Sequence, residues 1–136
     1  MVSFSSGNVF TDHRGKLLFN NNIDLSLFKR LYIIENSSLN VRRGWQGHKI
    51  EKRFFCVSRG SFLIKVVKID DFENPSTNLV VQEYILKALN FDSLLLSSGY
   101  ATLIQELEED SQLLAFSDYL LGEVDDNYKY DLMTWK

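Results

Sequence analysis

Apolar residues along this chain fall in short runs at strand spacing: KLLFN, FKRLYIIE, RFFCVS, SFLIKVVKI, LVVQEYIL, SLLLS, TLIQEL and QLLAF. The runs are rich in β-branched and aromatic residues, and none sustains a helical period, so they predict β-strands. Along SFLIKVVKI, Phe62, Ile64 and Val66 share one face while Leu63, Lys65 and Val67 share the other. Both faces are partly apolar, which predicts a sandwich strand whose outer side also meets a partner surface. Arg59-Gly60-Ser61 joins two runs tightly and Asp70 to Asn78 forms a longer polar loop, so antiparallel hairpins are expected. Strands this short, with a turn about every ten residues, predict a sandwich or barrel, and a jelly roll is the commonest solution at this length. Only DYLLGEVDDNYKYDLMTWK resists the pattern. It reads as a short helical turn and an extended tail whose Tyr119, Tyr128, Tyr130 and Trp135 pack on the barrel.

Composition narrows the setting. With 136 residues, 45% hydrophobic content, one proline and no repeat or linker, the chain is expected to form a single domain over residues 1–136. The lone cysteine, Cys56, sits in an apolar run, which excludes an internal disulfide and predicts a packed thiol in a reducing compartment. No basic leader and no run of about 18 apolar residues is present, so the reading is a cytoplasmic protein off the membrane. The net charge of −3 and the lack of a long basic tract disfavour nucleic acid. Charge is uneven, however: Val41 to Arg53 holds five Lys/Arg against Glu51, whereas Glu106 onward holds nine Asp/Glu against two Lys. That cationic patch suits a small anion or, equally, a solvated sheet edge.

The patch contains RRGWQGHK. If Gly44 to Phe55 is one extended strand, Gly44, Gln46, His48, Ile50, Lys52 and Phe54 share a face and Trp45, Gly47, Lys49, Glu51 and Arg53 lie opposite. Gly44 and Gly47 then allow close approach of a ligand or of another backbone, or mark a bulge. A metal is disfavoured, because the neighbours of His48 on its face are Gln46 and the cation Lys52, and His13 belongs to a turn. Imidazole titrates near ~6.5, so His48 suits a general base better, against the alternative of a structural histidine.

DHRGKL, FKRLYII, RRGWQGHK and SRGSF together resemble, in order and spacing, the nucleotide-sugar 3,4-ketoisomerases of the cupin superfamily. The same strand is loosely similar to the related deoxysugar 3,5-epimerases. The resemblance implies an all-β cupin-type double-stranded β-helix (jelly roll), a homodimer with exchanged amino-terminal strands, and action on a dTDP-linked 4-keto-6-deoxy sugar without metal or redox cofactor. The usual motif, Arg-Gly-x-His-x-His-Lys, is met by Arg43, Gly44, His48 and Lys49, with Gln46 in place of the first histidine. It implies His48 as the base for the C3 proton, with Gln46 and Tyr32 hydrogen-bonding the enediolate oxygens. Arg14, Arg30 and Arg43 would grip phosphate, Lys49 or Lys52 would add to the field, and Tyr100 would stand near the substrate. The segment LSSGYATLIQ departs from the family, which has a proline, aromatics and histidine there. Two readings therefore stand: a sugar-nucleotide isomerase or epimerase in polysaccharide or deoxysugar biosynthesis, and a non-catalytic cupin that binds a nucleotide sugar or assists a neighbouring enzyme.

Overall fold

Each alternating run forms a strand. The computed structural model describes residues 1–136, with twelve strands, two 3-10 turns (Leu25–Leu27 and Ala88–Asn90) and no α-helix. The strands are β1 (Val2–Ser6), β2 (Asn8–Asp12), β3 (Gly15–Phe19), β4 (Arg30–Ile34), β5 (Arg42–His48) and β6 (Arg53–Arg59). They continue as β7 (Ser61–Lys68), β8 (Val81–Lys87), β9 (Asp92–Leu96), β10 (Tyr100–Glu106), β11 (Gln112–Ser117) and β12 (Tyr128–Lys129). Two five-stranded antiparallel sheets face each other, in the orders β1-β9-β6-β11-β4 and β12-β5-β10-β7-β8, and β2 with β3 makes a separate hairpin. This is the expected jelly roll. No helix is long and apolar enough to cross a membrane.

The core forms where the inward faces meet. Phe55 and Val57 of β6, Phe62, Ile64 and Val66 of β7, and Leu94 of β9 are buried in one cluster. Fully burying such side chains stabilises by roughly 1.5–3 kcal/mol each, so this seam holds the two sheets together. Cys56 is free and buried, its thiol pushed up to about 11 by burial, as expected of a packed cysteine.

Three expectations need correction. Arg59-Gly60-Ser61 is a tight joint but not a hairpin: β6 pairs with β9 and β11, whereas β7 pairs with β8 and β10. Gly60, at φ +74°, lets the chain step from one sheet to the other while lying against Ser111. The carboxy-terminal piece holds no helix; it forms turns, adds β12 to the edge of β5, and ends with Trp135 buried. Part of the outer apolar face of β7 is covered by the chain's own tail: Val67 packs with Trp45, Ala101, Leu103 and Trp135 beside Tyr130 and Leu132, while Leu63 lies outside that cluster.

Gly44 fits the bulge reading. The pairing of β5 with β10 shifts register between Thr102 and Ile104, beside Gly44. At φ +138°, a Cβ on Gly44 would lie 2.8 Å from Leu103 Cα and nearer still to the Thr102 carbonyl oxygen. Gly44→Ala therefore combines a φ open essentially to glycine alone with a collision against backbone. A loss of about 3 kcal/mol is expected, read as a lower midpoint in urea unfolding. An unchanged midpoint would show that the bulge can relax.

Candidate active site

Between the sheets a cavity of about 850 Å³ opens, lined by β4, β5, β6, β10 and a strap over residues 121–130. Its size suits a small-molecule ligand. Alternation delivers the lining: Arg30, Tyr32 and Ile34 from β4, Gln46 and His48 from β5, Arg53 and Phe55 from β6, and Thr102 and Ile104 from β10.

His48 is buried and ends β5. Its Nδ1 lies 2.9 Å from the Asp126 carbonyl oxygen, and its Nε2 lies 2.8 Å from Arg53 Nη1. A guanidinium can only donate, so Nε2 accepts and the ring is a neutral tautomer with its proton on Nδ1, donated to Asp126. Burial first, and then the Arg53 cation, hold the imidazole below its ordinary pKa, against the opposing pull of Glu51 and Asp126.

The corner after His48 differs from one continuous extended strand. Residues Lys49 to Lys52 cross between the sheets, so Lys49 and Lys52 are exposed and outside the cavity lining, and Arg53 comes round to the His48 side. Asp126 holds this corner. Its carboxylate accepts from the Lys49 N–H at 2.8 Å, from Ile50 at 2.9 and 3.0 Å, and from Glu51 at 2.7 Å. Glu51, also buried, accepts from Arg30 Nη2 at 2.8 Å and from the Ser117 hydroxyl.

The other expected residues divide. Arg30 lies in the cavity wall, its guanidinium 5.1 Å from the Tyr32 ring centroid. Gln46 donates from Nε2 to Asn127 Oδ1 at 2.6 Å. Arg43 lines the cavity beside the bulge and donates to Asn36 Oδ1 at 2.6 Å. Neither Arg43 nor Arg53 has a carboxylate within ion-pair distance. Arg14 is drawn to Asp12 at 2.7 Å in the β2–β3 hairpin and lies outside the cavity lining. Tyr100 is not at the cavity either: it packs against the core, and its hydroxyl accepts from the Met1 amine at 2.9 Å. His13 is exposed, as expected for a turn residue.

Arg53, Glu51 and Asp126 were not singled out from the sequence. Arg53 and Glu51 had been placed on the wrong face by assuming an unbroken strand, and Asp126 carries no local signal because its partners are distant in sequence. His48, Glu51 and Asp126 offer ligand atoms within 4.8 Å of one another. A cation there would compete with the three backbone N–H groups on Asp126, with Arg30 on Glu51 and with the Asp126 carbonyl at Nδ1, so the donor set fits a metal poorly.

No protein-family model matches the sequence, and no curated protein does. Solved structures do. A sugar 3,4-ketoisomerase from Thermoanaerobacterium thermosaccharolyticum in complex with TDP has TM-score 0.73 and 21% identity, over 98% of this chain and 91% of that one. The dTDP-4-dehydrorhamnose 3,5-epimerase of Bacillus anthracis, with TDP and PPi bound, has TM-score 0.73 and 19% identity, over 92% of this chain and 76% of that one. The fold is the cupin jelly roll of these proteins. A 3'-monoepimerase from Streptomyces bikiniensis in complex with dTDP-quinovose shares it at TM-score 0.69 and 16% identity, over 89% of this chain and 65% of that one. Within this fold, His48, Arg30, Arg43 and Arg53 line one cavity between the sheets.

Proposed function

We propose that the protein is a sugar-nucleotide isomerase or epimerase acting on a dTDP-linked 4-keto-6-deoxyhexose, with 3,4-ketoisomerisation the favoured reaction. The observation that carries this reading is a buried imidazole at the wall of a ligand-sized cavity that also holds two guanidiniums without carboxylate partners. Like-folded proteins crystallised with TDP or a dTDP-sugar support the ligand class.

Moving a carbonyl from C4 to C3 requires loss of the C3 proton, stabilisation of the enediolate and return of a proton at C4. His48 takes the proton on Nε2, with the Asp126 carbonyl holding Nδ1–H and therefore the tautomer. Glu51 and Asp126 nearby stabilise the imidazolium as it forms. The Gln46 amide and the Tyr32 hydroxyl donate to the enediolate oxygens, each contributing on the order of 3 kcal/mol in a water-poor cavity. Gln46 stabilises charge without relaying a proton. Arg43 and Arg30 face the diphosphate. The substrate's own carbonyl acidifies the C–H bond, so these steps call on no redox cofactor.

Incubation with dTDP-4-keto-6-deoxyglucose in heavy water, followed by proton NMR, tests this. Deuterium at C4 with the carbonyl moved to C3 marks ketoisomerisation, and deuterium at C3 or C5 with the carbonyl still at C4 marks epimerisation. The second reading, a non-catalytic binder, draws on the engagement of both His48 nitrogens and on Gln46 where the resemblance expects histidine. Tight dTDP binding with no exchange is its signature.

The same reading makes the protein a cytoplasmic homodimer. Phe10, Leu17, Leu25, Leu27, Leu31 and Ile33 each leave more than half of their surface exposed along the amino-terminal hairpin, the first 3-10 turn and β4. A second copy covering them removes this apolar area from water. Strand exchange would re-use between copies the β1–β9 pairing formed within the chain. Light scattering is expected to give about twice the 15.8 kDa chain mass, and Leu31→Asp with Ile33→Asp to return the monomer. A monomeric wild type removes the dimer.

A further inference from the structure

His48 as it stands is not a free base. Its Nδ1 is held by Asp126 and its Nε2 lone pair is capped by Arg53. Nothing can hand Nε2 a proton until that guanidinium leaves. Arg53 is built to pivot, since its Nε donates to the Phe116 carbonyl at 3.1 Å while Nη1 alone reaches the imidazole. It has no carboxylate partner, unlike Arg30, whose charge is met by Glu51. Donation to a neutral ring nitrogen and a carbonyl leaves the cation with no carboxylate in contact, although Glu51 and Asp118 nearby favour its charge, and an anionic oxygen is a stronger acceptor than either.

We infer that Arg53 is a ligand-operated latch on His48: a phosphate oxygen entering the cavity draws the guanidinium off Nε2 and so unmasks the base only when ligand is present. Arg53 is thus a positioning residue, acting through His48. The inference rests on the sugar-nucleotide reading for the nature of the anion. Its consequence is economy of reactivity, because an empty cavity presents a capped imidazole and an occupied one presents a lone pair.

The charged and titratable surroundings of this pair are few. Arg53 comes from β6, Glu51 from the corner and Asp126 from the strap, while Arg30 and Tyr32 of β4 and Asp118 beyond β11 act on Arg53. Of these, Arg53 is the group in contact with Nε2, so its removal is the clean perturbation.

The chain has two histidines, and exposed His13 serves as an internal reference. Long-range 15N–1H NMR therefore follows His48 against pH in the full-length protein. Arg53→Ala and Arg53→Gln are expected to raise the His48 midpoint by about one pH unit by removing an adjacent positive charge, and Arg53→Lys to keep it low. In the wild type, inorganic pyrophosphate or dTDP is expected to move the Nε2 resonance from a capped to a free acceptor and to raise the midpoint. In Arg53→Gln the same anions should move it far less. A response to pyrophosphate alone assigns the trigger to phosphate, and a response to dTDP alone makes the nucleoside necessary for delivery.

Binding seen at the Arg30 and Arg43 amides with no change at His48, or an unshifted midpoint in both Arg53→Ala and Arg53→Gln, overturns the latch and leaves the sugar-nucleotide reading intact. Failure of both anions to bind overturns that reading and the latch together.

Discussion

His48→Asn is expected to lower deuterium incorporation from heavy water into dTDP-4-keto-6-deoxyglucose by roughly two to four orders of magnitude, the usual contribution of a positioned general base. Asparagine is the informative replacement. Its amide can still donate toward the Asp126 carbonyl or accept from Arg53, so the polar contacts of a buried site are largely kept. What it cannot do is gain and lose a proton near neutral pH. Burial of dTDP and the melting temperature should therefore change little while proton exchange collapses. Proton NMR of the sugar signals gives the rate, and circular dichroism of the same sample gives the stability. Exchange at the wild-type rate would show that another group moves the proton.

Asp126→Ala is expected to cost about 3–5 kcal/mol of stability. The side chain is fully shielded from solvent and accepts from three successive backbone N–H groups, those of Lys49, Ile50 and Glu51. Stranding buried donors costs about 1–3 kcal/mol each, and only partial relaxation into water is open to them here. The corner they belong to sets where β5 ends and β6 begins, and hence where His48 and Arg53 meet. Urea unfolding gives the loss, and amide hydrogen exchange at residues 49–51 localises it. Asp126→Asn keeps one good acceptor and should lose less. If Asp126→Ala unfolds at the wild-type urea concentration, the corner is held by the sheets alone.

Most of the strand framework was legible because period-two alternation is local, and β3, β4 and β6 through β11 announce themselves as apolar runs. The pairing was not. Gly60 looks the same in sequence whether the chain turns back within a sheet or steps across to the other one, and only the long-range register of β6 with β11 decides. The extended reading of Gly44 to Phe55 failed for a related reason. Its interruption is imposed by Asp126, whose bonds span more than seventy residues and leave no mark near the histidine.

At the site, Gln46 and His48 were correctly placed on one face because both precede the corner. Glu51, Lys52 and Arg53 follow it, and their faces were inverted. Arg14 and Tyr100 were drawn in by resemblance, and within one chain the fold gives them to Asp12 and to the core. On the apolar outer face of β7, Val67 is covered by the chain's own tail.

That arrangement leaves the histidine strand only one layer thick. Its inner side faces the cavity and its outer side is braced by indole against indole, with Trp45 edge-on to Trp135 at 5.3 Å. Trp135 is in turn fastened to the Ser76 carbonyl at 2.8 Å. A random screen for lost turnover would accordingly return hits in the last few residues and in the polar loop at 70–78. Those hits would be loosening the back of the wall, with no ligand contact of their own.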